Sequence, residues 1–355
     1  MAARFVAPTY LRGVFAGAGS DGLNEPAVAA EIVRLAGKPA AAVVVAYLGT
    51  ATYDLPTPRT RQTARLAEMG CTIVDVSLTD FGRAWPSAAA ARDATKAVAT
   101  ADVVVVSGGN TLYAIDQWRA LGIDLALDAA MRRGCVLAGG SAGAICWFDG
   151  GHSDSADPDT FRVAMRDAAA AAASAAPAAP VDESSAAPPA AAAAKDWTYI
   201  RVPGLGFLPG LVCPHYDKVQ SNGVLRANDF DGMLRRHAGE RGVCIDHWAA
   251  LVVDGGSYRV LRVPGKGGSL SVPGLPPPPA AVVLDAATAA TATFVDGQRG
   301  LPGVWLAEIG DDAAPRRWAP ADEGLVETLL RPAAGAIVED AACAVCRARN
   351  PLVEA

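Results

Sequence analysis

Short apolar segments alternate with helix-forming segments along the first half of the chain. Three of the apolar segments, Val43–Leu48, Val103–Val106 and Cys135–Leu137, are rich in β-branched residues and have the pattern of buried strands. Between them lie segments of helical character such as Thr57–Met69, which Gly70 ends. Strands that alternate with helices form parallel sheets with helices on both faces. The sequence therefore predicts an α/β protein with a doubly wound, mostly parallel sheet flanked by helices.

The last of these apolar segments runs into small residues around a single serine, Ser141. The segment Ala138–Ala144 contains three glycines, and glycine permits a sharp turn and unusual backbone angles. A buried strand, a tight turn with one serine and a following helix are typical of a nucleophile elbow. Such a turn lifts the hydroxyl to the end of the strand and the N-terminus of the helix, where negative charge is favoured. A passive serine in a small-residue turn has the same pattern, so this segment alone leaves both interpretations open.

Two further segments place useful groups at the ends of strands. The strand Val103–Val106 is followed by the tight loop Gly108–Asn110, which can direct a backbone N–H at an oxyanion. The apolar run that ends at Cys213 leads to His215, a candidate general base. Sites in open α/β sheets lie at the carboxyl ends of the strands. We therefore expect one cleft to collect the glycine loop, Ser141 and His215.

Taken in order along the chain, five segments together resemble peptidase family S51, which includes dipeptidase E (aspartyl dipeptidase) and cyanophycinase. The segments are Gly108–Asn110; Gly140–Ala144; Ile145–Phe148 with His152–Ser155; Gly204–Leu208 with Cys213–Asp217; and Ile245–Asp246 with Ala249–Leu251. The resemblance covers roughly residues 10–263 apart from one insertion. It is greatest to the branch described as peptidase E-like or type 1 glutamine amidotransferase-like. It implies a flavodoxin-like, class I glutamine amidotransferase-like three-layer sandwich.

The resemblance implies acyl transfer through a serine ester. Ser141 is the expected nucleophile, and His215 is expected to take its proton and later return it to the leaving amine. The backbone N–H groups of Gly109 and Ala142 match the oxyanion hole of the family. Asn110 shapes the glycine loop and is a candidate substrate-binding residue.

The acid that should orient His215 is the point at which the sequence departs from the family. In the dipeptidase E relatives an acid stands where this chain has His247, which we predict to be a substrate-binding residue instead. Asp246 is adjacent, but on a predicted strand around Val243–Val253 the side-chain alternation points it to the opposite face. Asp154 matches another acid of the family and is the predicted third catalytic residue, with a structural loop role as the alternative.

Composition narrows the classes of partner. The net charge is −6, so the chain lacks the excess of basic residues that is typical of nucleic-acid-binding proteins. No apolar stretch reaches membrane-spanning length. The seven cysteines lie mostly in apolar runs, which favours reduced thiols and a cytoplasmic protein. We expect no cofactor and no metal, a short peptide as substrate, and, as the resemblance implies, a homodimer.

The chain divides into three parts on resemblance and composition. Residues 1–263 are the predicted S51-like α/β domain, interrupted at residues 168–194 by an Ala/Pro-rich segment predicted to be a disordered surface insertion. Residues 264–279 are a predicted Pro/Gly linker. Residues 280–355 are an extension, and the sequence leaves open whether it packs on the core, binds a partner or is partly mobile.

These observations predict a serine peptidase of the dipeptidase E type that cleaves short peptides, with Asp-X peptides among the candidates. Two alternatives stay open. The departure at His247 and the long extension are also compatible with a catalytically degenerate member that binds a small molecule or a partner. The same nucleophile and base would equally serve an amidase or esterase acting on a non-peptide substrate.

Overall fold

The main sheet has eight strands and runs mostly parallel. The computed structural model describes residues 5–81, 84–174, 194–275 and 282–352. In spatial order the strands are β16 (Glu323–Leu325), β11 (Ser257–Arg262), β10 (Ala249–Asp254), β1 (Arg12–Ala16), β5 (Val136–Gly140), β4 (Val103–Val106), β2 (Val44–Leu48) and β3 (Thr72–Val76). Five neighbouring strands are parallel to one another: β1, β5, β4, β2 and β3. The pairs β1–β10, β10–β11 and β11–β16 are antiparallel. The predicted mostly parallel α/β sheet is confirmed.

Helices cover both faces of this sheet. The helices in this half of the chain are α1 (Ser20–Leu23), α2 (Pro26–Ala36), α3 (Pro56–Glu68), α4 (Ala88–Thr100), α5 (Thr111–Leu121), α6 (Ile123–Arg132), α7 (Ala142–Ile145) and α8 (Arg162–Ser174). In β4, Val104 and Val106 belong to the apolar cluster of one face, whereas Val103 and Val105 belong to that of the other. Successive side chains of a strand point to opposite faces, and all four valines are fully buried. The continuous valine run is therefore explained by helices on both sides.

The structure also has a second sheet of six strands, which the sequence analysis did not predict as a separate sheet. Its order is β15 (Pro315–Trp318), β14 (Val304–Ile309), β9 (Gly242–Ile245), β8 (Leu208–Cys213), β6 (Phe148–Ser153) and β7 (Ile200–Pro203). The single strand predicted around Val243–Val253 is wrong, since it divides into β9 of the second sheet and β10 of the first. The buried Asp246 carboxylate accepts hydrogen bonds from the backbone N–H groups of Ser269 and Gly303, which holds the chain in a turn between the two strands.

The C-terminal extension completes both sheets. Strands β14 and β15 form one edge of the second sheet, and β16 forms one edge of the first. The remaining elements are α9 (Arg226–Arg236), β12 (Leu270–Ser271), α10 (Ala286–Ala290), β13 (Thr293–Phe294), α11 (Val326–Leu329) and α12 (Ala342–Arg349). The predicted linker at 264–279 contains β12, which pairs with β13, and its residues 276–279 lie outside the described residues. The described part of the extension therefore packs on the core.

The predicted insertion at 168–194 falls largely outside the described residues. Residues 168–174 form the end of α8, and residues 175–193 are not described.

All seven cysteines are unpaired and buried. Within the described ranges, no helix combines the length and the apolar character needed to cross a membrane.

Candidate active site

Ser141 lies on a strained turn between β5 and α7. Its backbone angles are φ 56° and ψ −119°, which are rare for a residue with a side chain and cost about 1–3 kcal/mol. The turn is fixed by hydrogen bonds, because Ser141 N–H donates to the Ala16 carbonyl and Ala144 N–H donates to the Ser141 carbonyl. At Gly140 a Cβ atom would lie 1.9 Å from the Ala18 carbonyl oxygen, so only glycine fits. The strand, turn and helix of a nucleophile elbow are thus present, although α7 is a single turn long.

The glycine loop after β4 presents a backbone N–H group beside this serine. Gly108 N–H donates to Gln62 Oε1 at 3.3 Å, and Asn110 N–H donates to the Ala51 carbonyl at 2.8 Å. Gly109 between them has φ 122°, and a Cβ atom there would lie 2.2 Å from the Ala51 oxygen. In the described part of the chain, the N–H of Gly109 donates to no protein acceptor. The loop therefore holds one N–H in a fixed position and leaves it available.

One cleft of about 380 Å³ collects these groups. Ser141, His215 and Gly109 all line it, as expected for residues that follow strand ends. Its walls also include Asp21, next to β1, and Met165 of α8. The Ser141 hydroxyl makes no hydrogen bond to His215 or to another described residue. Catalytic hydrogen bonds often form only when substrate binds, so the lack of this bond is compatible with a serine–histidine pair.

His215 follows β8 and has a left-handed backbone with φ 49°. Its N–H donates to the Gly17 carbonyl, which ties it to the end of β1. Burial lowers the pKa of His215 well below the ordinary 6.5, and the positive charges of Arg226 and Lys218 and the neighbouring His247 lower the pKa further. His215 is therefore neutral near pH 7, the state in which an imidazole accepts a proton.

His247 lies against His215 rather than at the cleft wall. The two Nδ1 atoms are 2.8 Å apart, and the rings are tilted by 43°. The backbone N–H of His247 donates to Asp217 Oδ1 at 2.7 Å, which fixes the turn that carries the ring. The Nε2 atom of His247 lies 3.1 Å from Asp21 Oδ2. The structure thus places His247, predicted to bind substrate, between His215 and a carboxylate.

Asp21 was missed by the sequence analysis. It lies in α1, directly after the segment that follows β1, and its side chain is 44% exposed. The hydrogen bond from His247 lowers the pKa of Asp21, and the charges of Arg61 and Lys218 contribute to the lowering. The rule that sites gather at the carboxyl ends of parallel strands was the available signal, since β1 is a central parallel strand. What no sequence pattern indicated is that His247 would reach it.

The extension braces the turn that carries His247. Gln298 Nε2 donates to Asp217 Oδ2 at 3.0 Å, and the Gly303 N–H donates to Asp246 Oδ2 at 2.9 Å. Asp246 is fully buried and directed away from His215, toward Ser269. It points away as predicted, but because of the turn between β9 and β10 rather than strand alternation. Residues outside the region of family resemblance therefore help to position a site residue.

Asp154 and Asn110 have other partners. Asp154 Oδ2 accepts a hydrogen bond from Gln220 at 3.1 Å and lies 3.9 Å from Arg226; it makes no hydrogen bond to His215. Asn110 is buried, and its Oδ1 caps α5 by accepting from the Tyr113 N–H at 3.0 Å. Its amide group donates to Thr160 and Ser155. The Asn110 side chain is therefore used within the protein, and Asn110 does not line the cleft.

Two polar residues near the cleft, Arg226 and His152, are fully buried. Arg226 donates from one terminal nitrogen to the His152 carbonyl at 2.8 Å and from Nε to His152 Nδ1 at 3.2 Å. His152 is also stacked on Tyr199 and lies 2.8 Å from Asp229. Burial lowers the pKa of His152 to about 4. The sequence could not show this burial, because Arg226 and Asp229 lie more than 70 residues from His152 in the chain.

Comparisons with known proteins give a family and several relatives. Residues 16–170 match the family model described as peptidase family S51. A Trypanosoma brucei brucei protein named G2/mitotic-specific cyclin-1 is 31% identical over 271 residues, which are 73% of this chain and 77% of that protein. The uncharacterized peptidase YgaJ of Bacillus subtilis (strain 168) is 34% identical over 116 residues, 33% of each protein. The cyclin name is that of the trypanosome protein alone.

Two solved structures are also similar. A putative peptidase E from Listeria monocytogenes EGD-e has a TM-score of 0.47 and 12% identity, covering 71% of this chain and 98% of its own. A peptidase from an acI-B1 Actinobacterium has a TM-score of 0.47 and 16% identity, covering 72% of this chain and 88% of its own.

Proposed function

Because the chain belongs to peptidase family S51 and is a serine-type peptidase, we propose that it hydrolyses short peptides through an acyl-enzyme on Ser141. His215 is the general base of this proposal. The observation that carries it is the strained Ser141 turn, with φ 56°, opening into the same cleft as a neutral His215. Strain of this kind persists where the surrounding structure over-determines it, as in a nucleophile elbow.

The chemistry follows from the positions of these groups. Nδ1 of His215 is occupied by His247, so Nε2 is the nitrogen left to take the Ser141 proton. As Ser141 Oγ bonds to the peptide carbonyl carbon, the carbonyl oxygen becomes an oxyanion, to which the N–H groups of Gly109 and Ala142 would donate hydrogen bonds. The C–N bond then breaks, and His215 returns the proton to the leaving amine. Water, deprotonated by His215, hydrolyses the ester and regenerates Ser141.

The size of the cleft supports a short substrate. About 380 Å³ lies at the lower end of the range for small-ligand sites, enough for a dipeptide. Arg61 borders the cleft, with a side chain 63% exposed, and a guanidinium binds carboxylates well. Short peptides with an acidic residue, such as Asp-X, are therefore the substrates to test first. The seven unpaired, buried cysteines support a reducing compartment, the cytoplasm.

Hydrolysis of Asp-X, β-Asp-X and neutral dipeptides tests the proposal, with wild type, Ser141→Ala and Ser257→Ala compared. Ser257 is exposed on β11 and serves as the matched serine control. We expect cleavage by wild type and Ser257→Ala, and none by Ser141→Ala. A fluorophosphonate probe should label Ser141 and leave Ser141→Ala unlabelled. Full activity of Ser141→Ala would refute the mechanism.

The same two assays separate the alternatives. Probe labelling of Ser141 without cleavage of any peptide indicates an amidase or esterase with a different acyl substrate. A folded protein that neither reacts with the probe nor cleaves a peptide indicates a catalytically silent binding module.

A further inference from the structure

A continuous row of polar atoms leads from the base of the cleft to the protein surface. His215 Nδ1 lies 2.8 Å from His247 Nδ1, and His247 Nε2 lies 3.1 Å from Asp21 Oδ2. Two ring nitrogens at hydrogen-bond distance require a proton between them, so one ring donates and the other accepts. Which ring donates decides whether His215 can act as a base.

The protonation state of each ring follows from that of its neighbour. A general base at His215 needs a free Nε2, so its single proton lies on Nδ1 and is donated to His247. Nδ1 of His247 is then an acceptor, and its own proton lies on Nε2. That proton points at the Asp21 carboxylate, which accepts it. In the reverse arrangement of two neutral rings, the lone pair of His247 Nε2 would face the Asp21 carboxylate, which is unfavourable.

We propose that Asp21 is a positioning residue of this peptidase, and that it acts through His247 to hold His215 with its proton on Nδ1. Together the two residues occupy the place of the single acid that orients the histidine in a serine triad. The proposal rests on the proposed function, since it takes His215 as the general base. It explains how a histidine can stand next to His215 where a negative charge is needed: the charge is one ring further away.

The charges around the row fit this assignment. Once His215 has taken the Ser141 proton, its positive charge faces the cations Arg226 and Lys218. The Asp21 carboxylate opposes them through His247, and the hydrogen bond from His247 keeps the pKa of Asp21 below its usual value. Asp217 also lies near His247, but its Oδ1 accepts the His247 backbone N–H and its Oδ2 accepts from Gln298.

A structural role for Asp21 makes different predictions. Asp21 lies 3.3 Å from Arg61 and in the first turn of α1, so its loss could weaken the cleft wall without involving His247. A test must therefore read out the histidine protons or the dependence on His247, and not only activity.

The first experiment is nitrogen NMR of the imidazole rings in the full chain. The protein has four histidines, which makes assignment by single His→Gln variants practical. At pH 7 we expect His215 protonated on Nδ1 and His247 protonated on Nε2, and we expect Asp21→Asn to weaken the His247 preference. A His247 ring that is protonated on both nitrogens, or on Nδ1 alone, would overturn the proposal. Because no turnover is required, this result stands whether or not a peptide substrate is found.

The second experiment compares Asp21→Asn in two backgrounds. In wild type we expect a loss of about 10–100-fold in kcat, less than the roughly 10⁴-fold loss for a directly contacting triad acid. In His247→Glu the carboxylate contacts His215 directly, so Asp21→Asn should change kcat less than twofold. An equal loss in both backgrounds would show a structural role and refute the proposal. If His247→Glu alone is inactive, the NMR result decides.

Control variants separate charge from position. Asp75 on β3 pairs with Arg59 at 2.7 Å and is 46% exposed, close to the 44% of Asp21, but lies outside the cleft. Asp75→Asn should leave kcat unchanged.

In Asp21→Asn the acidic limb of the kcat/KM profile should also move to lower pH, because the variant loses the negative charge that favours protonated His215. An unchanged limb would count against the proposal.

Discussion

Gly140→Ala should lower kcat/KM strongly with only a moderate loss of stability. A Cβ at this position would lie 1.9 Å from the Ala18 carbonyl oxygen, whereas real Cβ atoms stay at least 3.0 Å from such neighbours. Either the backbone at Ala18 or the turn at Ser141 must then move by about 1 Å. Overpacking of this kind costs about 1–3 kcal/mol. A displacement of about 1 Å at a reacting group can cost roughly 100-fold in rate, so kcat/KM should fall about that much.

Urea unfolding and peptide hydrolysis measure the two effects separately. Gly256→Ala is the matched control, because a Cβ there meets no heavy atom within 4 Å and the residue is exposed. We expect this control to keep full activity and to change the free energy of unfolding by less than about 1 kcal/mol. If Gly140→Ala matched Gly256→Ala in both stability and kcat/KM, the turn would have room for a side chain and the reasoning would be refuted.

Two further predictions concern the charges near the cleft. Burial and nearby cations lower the pKa of His215, so its proton-accepting form persists below pH 6.5, and the acidic limb of kcat/KM should have an apparent pKa below 6.5; a limb at or above 6.5 would contradict this. Asp154→Asn should lower kcat less than 10-fold, because Asp154 bonds to Gln220 and lies by Arg226; a loss near 10⁴-fold, typical of a triad acid, would make Asp154 the acid that orients His215.

The local structure around the nucleophile could be predicted because it depends on neighbours in sequence. A run such as Val103–Val106 can only be buried on both faces, which requires helices on both sides of a sheet. The small residues of Ala138–Ala144 permit a turn that larger side chains would obstruct. A side chain at any of its three glycines would collide with backbone atoms. The position of His215 at a strand end could also be predicted, because the apolar run that forms the strand lies directly before it in the sequence.

The partners of His215 could not be predicted, because they come together only through the packing of distant segments. Asp21 and His247 are 226 residues apart in the chain, and they meet because β1 lies next to β10 in the first sheet. The turn that carries His247 is stabilised in part by the hydrogen bond from the Gly303 N–H to Asp246, and Gly303 lies in the extension that the family resemblance does not reach.

Burial also depended on the tertiary structure. Arg226 is fully buried, and its side chain donates two hydrogen bonds to His152, which lies 74 residues away in the chain. The sequence by itself determined the parallel sheet, the serine turn and the strand ends that meet at the cleft, since backbone sterics and side-chain periodicity act over a few residues. Only the tertiary structure decided which charge supports the base, since electrostatic and hydrogen-bonding partners are chosen by distance in space.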